Sequence, residues 1–570
     1  MTSAIGKLFN RILNERLVKF LEKHHIIDNC QIGFTKKART SDHMFILRTL
    51  IDKYCTTKKK HIFACFVDLK KAFDTVIHAG IKLRLMEIGC GSLFYNIIKN
   101  MYAVSKSSIK IENNLTDFIP TNLGVKQGDN LSPNLFKIFI NEFPNYLEKS
   151  LDPVYLDKKA IHCLMYADDI ILLSTSAAGL QEKLNLLDKF CQDWCLSVNT
   201  QKTKILIFNK SGKLVNTMFK LDNTVLECVN KYKYLGVTFC ASGSFTHAQE
   251  ELYKKATKAY FKLSKDFLSL NPNVHTSMHV FDHTIKPILL YGCEIWGTFN
   301  PFSAKFRNGF EDLCFDQIYS NQKAEILHQK FCKFILGVHK KSVNYAVLSE
   351  LGRFPLYFNI VKAMLKYYER LNKIADTFPL LHAAYNESVI IDASKHQSWY
   401  SSVKIVIKKI SASLNLNNKI TKKVLIEYFT KEWKKNLIKV SEGKLCTYVK
   451  FKTNFGFEKY LSVIKNFQQR QQLTRFRISS HKLSIETGRY KGIPRHDRIC
   501  TRCNENSVED EVHFLCICQG MGIKRNSLNL IAQNKCKNYI ALCNESKLIW
   551  LLTNEDYDIL NALCTFLTYI

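Results

Sequence analysis

The chain has 570 residues, 46% of them hydrophobic and 12% aromatic, so it is long enough for three or four domains and too apolar to be disordered. It carries 82 Lys and Arg against 50 Asp and Glu, and a net charge of +32 favours a polyanionic partner such as nucleic acid over a surface that is basic only for solubility. The sequence predicts no membrane span and no secretion signal. Twenty cysteines could suggest disulfides, but the length of the chain and the missing signal favour a reducing compartment, and we expect an intracellular protein.

Apolar periodicity divides the chain into a mixed first half and a mainly helical second half. In the first half we predict, in chain order, a helix over 5–23, a buried strand over 61–69, a hairpin over 161–174, a helix over 180–194 and short strands over 204–208 and 233–239. Beyond about residue 250 the spacing predicts helices over 253–270, 323–336 and 359–374.

Acidic residues interrupt the apolar sequence at two places. Asp68 ends the buried strand, and Asp168 with Asp169 occupies the predicted hairpin turn. Brought side by side, three carboxylates form a hard-oxygen site suited to two Mg²⁺ ions, which can promote an in-line phosphoryl transfer. The alternative is a solvent-exposed acidic turn, which fits poorly with the apolar residues on both sides.

The residues around these carboxylates form a series of motifs. Tyr166 to Asp169 (YADD) resembles the polymerase motif of reverse transcriptases, and the other similar segments are FVDLKKAFDTV at 66–76, GVKQGDNLSP at 124–133, NTQKTK at 199–204, KYLGV at 233–237 and QIGFTKKARTSDH at 31–43. All stand in the expected order. The chain is therefore identified as resembling a reverse transcriptase of a non-LTR (LINE-type, jockey-like) retrotransposon that is truncated at its N-terminus.

The resemblance implies an α/β right-hand polymerase. Its expected parts are partial fingers and palm over 1–245, a helical thumb and connector over 246–400, a basic helical nucleic-acid-binding region over 401–495 and a zinc-knuckle-like region over 496–570. The implied activity is RNA-directed DNA polymerisation, with an RNA template, a DNA primer or target, dNTPs and two Mg²⁺ ions as partners. Such a protein is expected in the cytoplasm and nucleus.

Roles carry over onto matching positions. Asp68, Asp168 and Asp169 would bind the metal ions, while Asp74 would support structure. Phe73 resembles the aromatic gate against a ribose 2′-hydroxyl, although its spacing alone equally suits a core aromatic. The remaining roles are Gln127 and Gly128 near the template base and nucleotide, Ser132 as a helix N-cap before Pro133, Lys202 beside the departing pyrophosphate, and 234–236 in positioning the primer.

The fingers motif departs from the family pattern. Thr35 and Ala38 stand where arginines usually help to hold the triphosphate, and Lys36, Lys37 and Arg39 could replace that charge. The chain also begins only about thirty residues before the motif. These departures leave open a second function, that of a catalytically inactive, element-derived nucleic-acid-binding protein.

The C-terminal half is strongly basic. Between Ser401 and Cys500 there are 23 Lys or Arg against 6 Asp or Glu, a net of +17, which favours contact with RNA or target DNA over solvated helix faces. Residues 336–356 are similar to a segment of jockey-like elements, which supports the connector assignment and counts against an intron maturase or a telomerase-like polymerase.

Near the C-terminus, Cys500, Cys503, His513 and Cys518 follow the order Cys-x₂-Cys, nine residues, His-x₄-Cys. Four ligands of this kind suit a closed Zn²⁺ site. Cys516 is an alternative fourth ligand, but the His-Phe-Leu step resembles the family and favours Cys518. Nearby arginines, Arg495, Arg498 and Arg502, are as expected for a nucleic-acid-binding knuckle.

Overall fold

The computed structural model describes residues 4–112, 114–299, 315–374, 377–414, 420–441 and 443–570. The chain forms two compact units. The first, called the palm unit here, comprises residues 1–248, 292–308 and 364–405, and the second, the helical unit, comprises residues 249–291, 309–363 and 406–570. The division into four functional regions made from the sequence stays a prediction.

The strands of the described chain all lie in the palm unit. They are β1 Ile62–Val67, β2 Lys106–Ser107, β3 Lys110–Ile111, β4 Asn114–Leu115, β5 Ile119–Pro120, β6 Val154–Leu156, β7 Lys159–Ile161, β8 Cys163–Tyr166, β9 Asp169–Ser174, β10 Lys204–Phe208, β11 Phe219–Leu221, β12 Thr224–Val229, β13 Lys231–Tyr234 and β14 Val237–Cys240. Six of them form one sheet in the order β11-β12-β10-β1-β9-β8. In this sheet β10 and β12 are parallel and the other neighbouring pairs are antiparallel.

The described chain also contains α-helices in both units. They are α1 Ala4–Lys23, α2 Thr40–Ile51, α3 His78–Glu87, α4 Ser92–Ala103, α5 Ser132–Ile140, α6 Phe143–Leu147, α7 Ala177–Asp193, α8 Thr246–Leu270, α9 Val274–Thr284, α10 Lys286–Leu289, α11 Cys293–Trp296, α12 Phe315–Tyr319, α13 Lys323–Leu336, α14 Asn344–Glu350, α15 Leu356–Leu371, α16 Pro379–Ala393, α17 Trp399–Leu414, α18 Lys422–Ser441, α19 Tyr448–Phe451, α20 Tyr460–Val463, α21 Phe467–Arg477, α22 Ser484–Tyr490, α23 Gly522–Lys535, α24 Asn544–Thr553 and α25 Tyr557–Leu567.

Strand β1 is central because its residues are apolar on both faces. Its sequence IFACFV is buried at five of six positions, as expected of a strand that packs on both sides. Helix α7 covers one face with the buried residues Leu180, Leu184 and Leu187, spaced for one helical stripe. On the other face Tyr232 of β13 stacks on Phe66 at 4.4 Å between ring centroids. The catalytic candidates therefore extend from a rigid, fully packed sheet.

The predicted helices and the hairpin over 161–174 are confirmed within a few residues of their predicted ends, except that the helix predicted over 253–270 begins seven residues earlier, at Thr246. Helix α1 buries Leu13, Leu17 and Leu21, whereas the apolar residues of its first turns, among them Ile5 and Leu8, are exposed.

Two local predictions are wrong. The single strand over 233–239 is a hairpin, because Leu235 and Gly236 both have positive φ (45° and 85°) and reverse the chain between β13 and β14. Ser132 is not an N-cap: α5 begins at Ser132 itself, after Leu131, which makes no side-chain cap hydrogen bond. The pyrrolidine of Pro133 still fits the first turn of that helix, where no N–H is needed.

In the helical unit, residues of α13, α14, α18, α21 and the C-terminal helices share one apolar core. A buried carboxylate, Glu350, lies inside it and accepts hydrogen bonds from Arg477, Tyr448 and Tyr460. The segment 336–356 thus contributes a polar centre to this core. In the part of the chain that the structure describes, every helix is too short or too polar to cross a lipid bilayer.

Candidate active site and Cys/His cluster

The three aspartates meet at one end of the palm sheet. Strands β1 and β9 are antiparallel, with Val67 opposite Ile170, so one further step places Asp68 opposite Asp169. Strands β8 and β9 form the predicted hairpin, but its turn holds Ala167 and Asp168, whereas Asp169, predicted in the turn, is the first residue of β9 and pairs with Tyr166. The sheet register therefore brings together two acidic motifs that are a hundred residues apart in the sequence.

The backbone around Asp68 is fixed by the Asn-x-x-Lys-Thr segment. The Asp68 N–H donates to Oγ1 of Thr203 at 3.1 Å, and the Asn199 N–H donates to the Asp68 carbonyl at 2.7 Å. Lys202 of the same segment places its exposed ammonium 3.8 Å from Asp68 Oδ2. The sequence predicted a role for Lys202 near the phosphates, and the structure puts its charge beside the first carboxylate.

Electrostatics at the turn disfavour three bare carboxylates. Asp169 is partly exposed to solvent, but desolvation of its carboxylate by the neighbouring apolar strands raises its pKa. The charges of Asp168 and Asp68 contribute to the same rise, and the pKa reaches about 6. Partial burial also raises the pKa of Asp168, and Asp68 adds to it. A divalent cation relieves this repulsion, and an all-oxygen donor set is the type that Mg²⁺ prefers. The residues present therefore fit such an ion.

Phe73 and Gln127 lie in the loops beside this sheet end. Phe73 stacks on Phe136 of α5 at 4.6 Å between centroids and meets Phe34 edge-on at 6.4 Å, so its ring orientation is fixed from two sides. Gln127 is exposed and donates from Nε2 to Asp74 Oδ1 at 2.9 Å. Asp74 thus orients Gln127, in line with the structural role predicted for it.

Gly128 is required for its backbone conformation. Its φ is +81°, a region that L side chains rarely adopt, while an added Cβ would meet no atom within 4 Å. Tyr234 is buried, with its hydroxyl 3.2 Å from His43 Nδ1, so any effect of this side chain on a primer would be transmitted through packing.

The basic residues of the fingers motif differ in what they contact. Lys36 and Lys37 line a cavity of about 730 Å³ in the palm unit. Arg39 precedes α2, where its N–H donates to Oδ2 of Asp42. Sequence reasoning missed Lys137, whose buried ammonium lines the same cavity and donates to Thr35 Oγ1 at 3.1 Å. Burial lowers the pKa of Lys137 to about 8. A lone lysine within the apolar run of α5 was the signal available in the sequence.

Four predicted zinc ligands converge in the helical unit. The ligand atoms of Cys500, Cys503, His513 and Cys518 all lie within 4.8 Å of one another, and this cluster could hold a metal ion. Cys518, and not Cys516, completes the group. Burial raises the pKa of the Cys500 thiol to about 12, so forming the thiolate is unfavourable by itself. A bound metal ion would offset this cost by its attraction to the thiolate.

Two of the three arginines near this cluster are used within the protein. Arg498 donates to the carbonyls of Ile493 and Ile485, and Arg502 pairs with Glu509 at 2.8 Å. Arg495 is mostly exposed, and its guanidinium lies 4.0 Å from the carboxylate of Asp510. The expectation that all three crowd the site to bind nucleic acid is therefore reduced to Arg495.

Comparison with known proteins gives consistent results. Residues 1–239 match the family described as reverse transcriptase (RNA-dependent DNA polymerase). A probable RNA-directed DNA polymerase from transposon BS of Drosophila melanogaster is 29% identical over 316 residues, which are 52% of this chain and 33% of that protein. The RNA-directed DNA polymerase from mobile element jockey of the same species is 24% identical over 312 residues, 52% of this chain and 32% of that protein.

Further relatives include a Nasonia vitripennis retrovirus-related Pol polyprotein from type-1 retrotransposable element R2, 28% identical over 244 residues, 41% of this chain and 23% of that protein. The chain spans about a third of the length of the first two relatives. Among solved structures, apo telomerase from Candida tropicalis aligns with a TM-score of 0.32 at 14% identity, covering 66% of this chain and 61% of that chain.

Proposed function

We propose that the chain is an RNA-directed DNA polymerase, because residues 1–239 match the reverse transcriptase family and its relatives include such polymerases from non-LTR retrotransposons. The observation that carries the proposal is the meeting of Asp68, Asp168 and Asp169 at one end of the palm sheet. Template RNA, a DNA primer and dNTPs are the proposed partners, and such a reaction would take place in the cytoplasm and nucleus.

In the proposed reaction the primer 3′-hydroxyl oxygen bonds to the α-phosphorus of a dNTP, the bond to pyrophosphate breaks, and the hydroxyl proton passes to solvent. Asp68, Asp168 and Asp169 would hold two Mg²⁺ ions, which supply charge stabilisation for the attacking and leaving oxygens. The protein contributes mainly by positioning and electrostatics.

Other residues of the palm unit would select and orient the substrates. The ring of Phe73, held by Phe136, would exclude a ribose 2′-hydroxyl. Gln127 and Gly128 would lie beside the templating base and the nucleotide. Lys202 would neutralise the departing pyrophosphate. The triphosphate would be held by Lys36 and Arg39 of the fingers motif.

The basic helical region is proposed to bind nucleic acid through one face of α18. The helix buries Leu425, Tyr428, Phe429 and Trp433 against its neighbours, and its opposite face exposes Lys431, Lys434, Lys435 and Lys439. Spacing of three and four residues sets these ammonium groups along one side of the helix, where they can follow a phosphate backbone. We also propose that the Cys/His cluster binds Zn²⁺, since its sulfur and nitrogen ligands suit that ion.

The test is extension of a DNA primer on an RNA template with Mg²⁺ and dNTPs, comparing the wild type with Asp168→Asn plus Asp169→Asn. These changes keep side-chain volume and remove two charges, so extension should vanish while duplex binding persists. Asp222→Asn, at an exposed turn between β11 and β12, is the matched control and should extend normally. If a folded wild type binds the duplex but never extends the primer, the proposed polymerase activity is refuted. The alternative, a catalytically inactive, element-derived nucleic-acid-binding protein, would then be favoured.

A further inference from the structure

The start of the fingers motif runs alongside the edge of the palm sheet. The Met165 N–H of β8 donates to the Cys30 carbonyl at 2.8 Å, and the Ile32 N–H donates to the Met165 carbonyl at 3.0 Å. Between these two bonds Gln31 forms a parallel bridge with Met165. Residues 30–32 are therefore bridged to β8 next to the turn of Ala167 and Asp168 and the first residue of β9, Asp169.

The side chain of Gln31 is bound to that turn. Its Oε1 accepts the Ala167 N–H at 3.0 Å and the Gly33 N–H at 2.9 Å, and its Nε2 donates to the Ala167 carbonyl at 3.3 Å. The residue is only 2% exposed. One amide group thus pairs both backbone polar groups of Ala167, the residue that immediately precedes the paired carboxylates.

Ala167 needs such support because of its conformation. Its φ is +59°, which is uncommon for a residue with a side chain. Gly33 allows the close approach, since a Cβ on it would come 2.2 Å from the Ala167 nitrogen. Together the two contacts fix a backbone conformation that the hairpin sequence alone does not favour. The positions of the following carboxylates depend directly on that conformation.

We propose that Gln31 is a positioning residue that holds the Ala167 turn, so that Asp168 and Asp169 are placed to bind divalent cations. The inference rests on the proposed function. It gives the fingers motif a structural role, stabilising the metal-binding turn, in addition to the proposed role of holding the triphosphate. Gln31 acts through the backbone of Ala167 and does not touch the substrate.

A matched control exists in the same unit. Gln181 of α7 makes the same two-bond contact with Lys220 of β11: its Nε2 donates to the Lys220 carbonyl at 2.7 Å and its Oε1 accepts the Lys220 N–H at 2.9 Å. That contact lies at the opposite edge of the sheet from β8. Replacing either glutamine by methionine keeps side-chain length and removes the two hydrogen bonds to the backbone of Ala167 or Lys220; at Gln31 it also removes the bond from the Gly33 N–H.

The experiment compares wild type, Gln31→Met and Gln181→Met as full-length chains. Tb³⁺ binding is followed by sensitised luminescence without nucleotide, and the Mg²⁺ concentration for half-maximal primer extension is measured in parallel. Gln31→Met should weaken Tb³⁺ binding and raise the Mg²⁺ midpoint about tenfold, the usual effect of losing an outer contact at a metal site. Gln181→Met should change neither value, and template–primer affinity should stay the same in both variants.

Equal Tb³⁺ affinity in wild type and folded Gln31→Met, or equal losses in the two variants, would overturn the proposal. If Gln31→Met does not fold, Gln31→Asn takes its place, because its amide is one methylene too short to reach Ala167 and predicts the same losses. A wild type that binds Tb³⁺ but does not extend a primer would refute the polymerase and leave the positioning role decided by the Tb³⁺ comparison alone.

Discussion

Replacing Glu350 by Gln should destabilise the helical unit by about 3 kcal/mol. Its side chain is 0% exposed and faces Arg477, whose own side chain is 2% exposed, with Arg477 Nε 2.8 Å from Glu350 Oε2 and Nη2 3.1 Å from Oε1. Removing one partner of a buried ion pair typically costs about 3–5 kcal/mol, because the remaining charge is left without compensation. We take the lower end, since Arg477 also pairs with Glu458.

The same ion pair predicts how stability depends on pH. Burial alone would raise the pKa of Glu350, but the charge and hydrogen bonds of Arg477 outweigh it and hold the pKa below its ordinary value of 4.5. A carboxyl whose pKa is lowered on folding stabilises the protein above its unfolded pKa, and this contribution is lost as the pH falls through the folded value. The variant should therefore lose less stability than wild type on acidification below about pH 4.5.

Urea unfolding of the full chain, followed by circular dichroism, measures the free energy of unfolding. Glu545→Gln is the control, because Glu545 is 60% exposed in its pair with Lys450 and should cost less than about 1 kcal/mol. The reasoning is refuted if Glu350→Gln costs no more than this control. A second check is Glu350→Leu combined with Arg477→Met, which removes both charges and should recover part of the loss.

The remaining predictions concern the helical unit and the fingers motif. Cys518→Ser should lower Zn²⁺ content measured by mass spectrometry, whereas Cys516→Ser should leave it unchanged; equal zinc in both would contradict the assigned ligand. Lys434→Gln with Lys435→Gln should lower the slope of log duplex affinity against log salt concentration by the equivalent of about one to two phosphate contacts. An unchanged slope would exclude the lysine face of α18 as the duplex-binding surface. Gly33→Ala should abolish extension, because its Cβ would overlap the Ala167 nitrogen at 2.2 Å; normal activity would show that the loop can move aside.

The elements that the sequence predicted best are those whose signal is local. Strand β1 reads as a buried strand because its apolar residues are continuous, and the hairpin of β8 and β9 reads as one because two apolar runs flank an acidic pair. The predicted placement of Asp68 beside Asp169 came from motif resemblance. In the structure it follows from the register of β1 against β9, which no local pattern specifies.

The features that the sequence did not predict depend on backbone conformation or on distant contacts. Leu235 has a left-handed φ without being glycine or asparagine, so Gly236 was the one turn residue that marked the reversal between β13 and β14 within an otherwise strand-like segment. Gln31 contacts Ala167 across 136 positions of sequence. By contrast, the sequence favoured Cys518 over Cys516 through the resemblance of the His-Phe-Leu step, and the structure places Cys518 with the other three ligands.

The candidate active site contains two energetically unfavourable features. Ala167 holds a disfavoured φ, and Asp169 carries a raised pKa because neighbouring charges and apolar strands oppose its ionisation. The ion pair between Lys202 and Asp68 spans 3.8 Å at an exposed ammonium, so it offsets little of this repulsion. The Gln31 contact supports the backbone but adds no positive charge. A chain with a net charge of +32 therefore keeps its acidic centre negative, which is what a site for divalent cations requires.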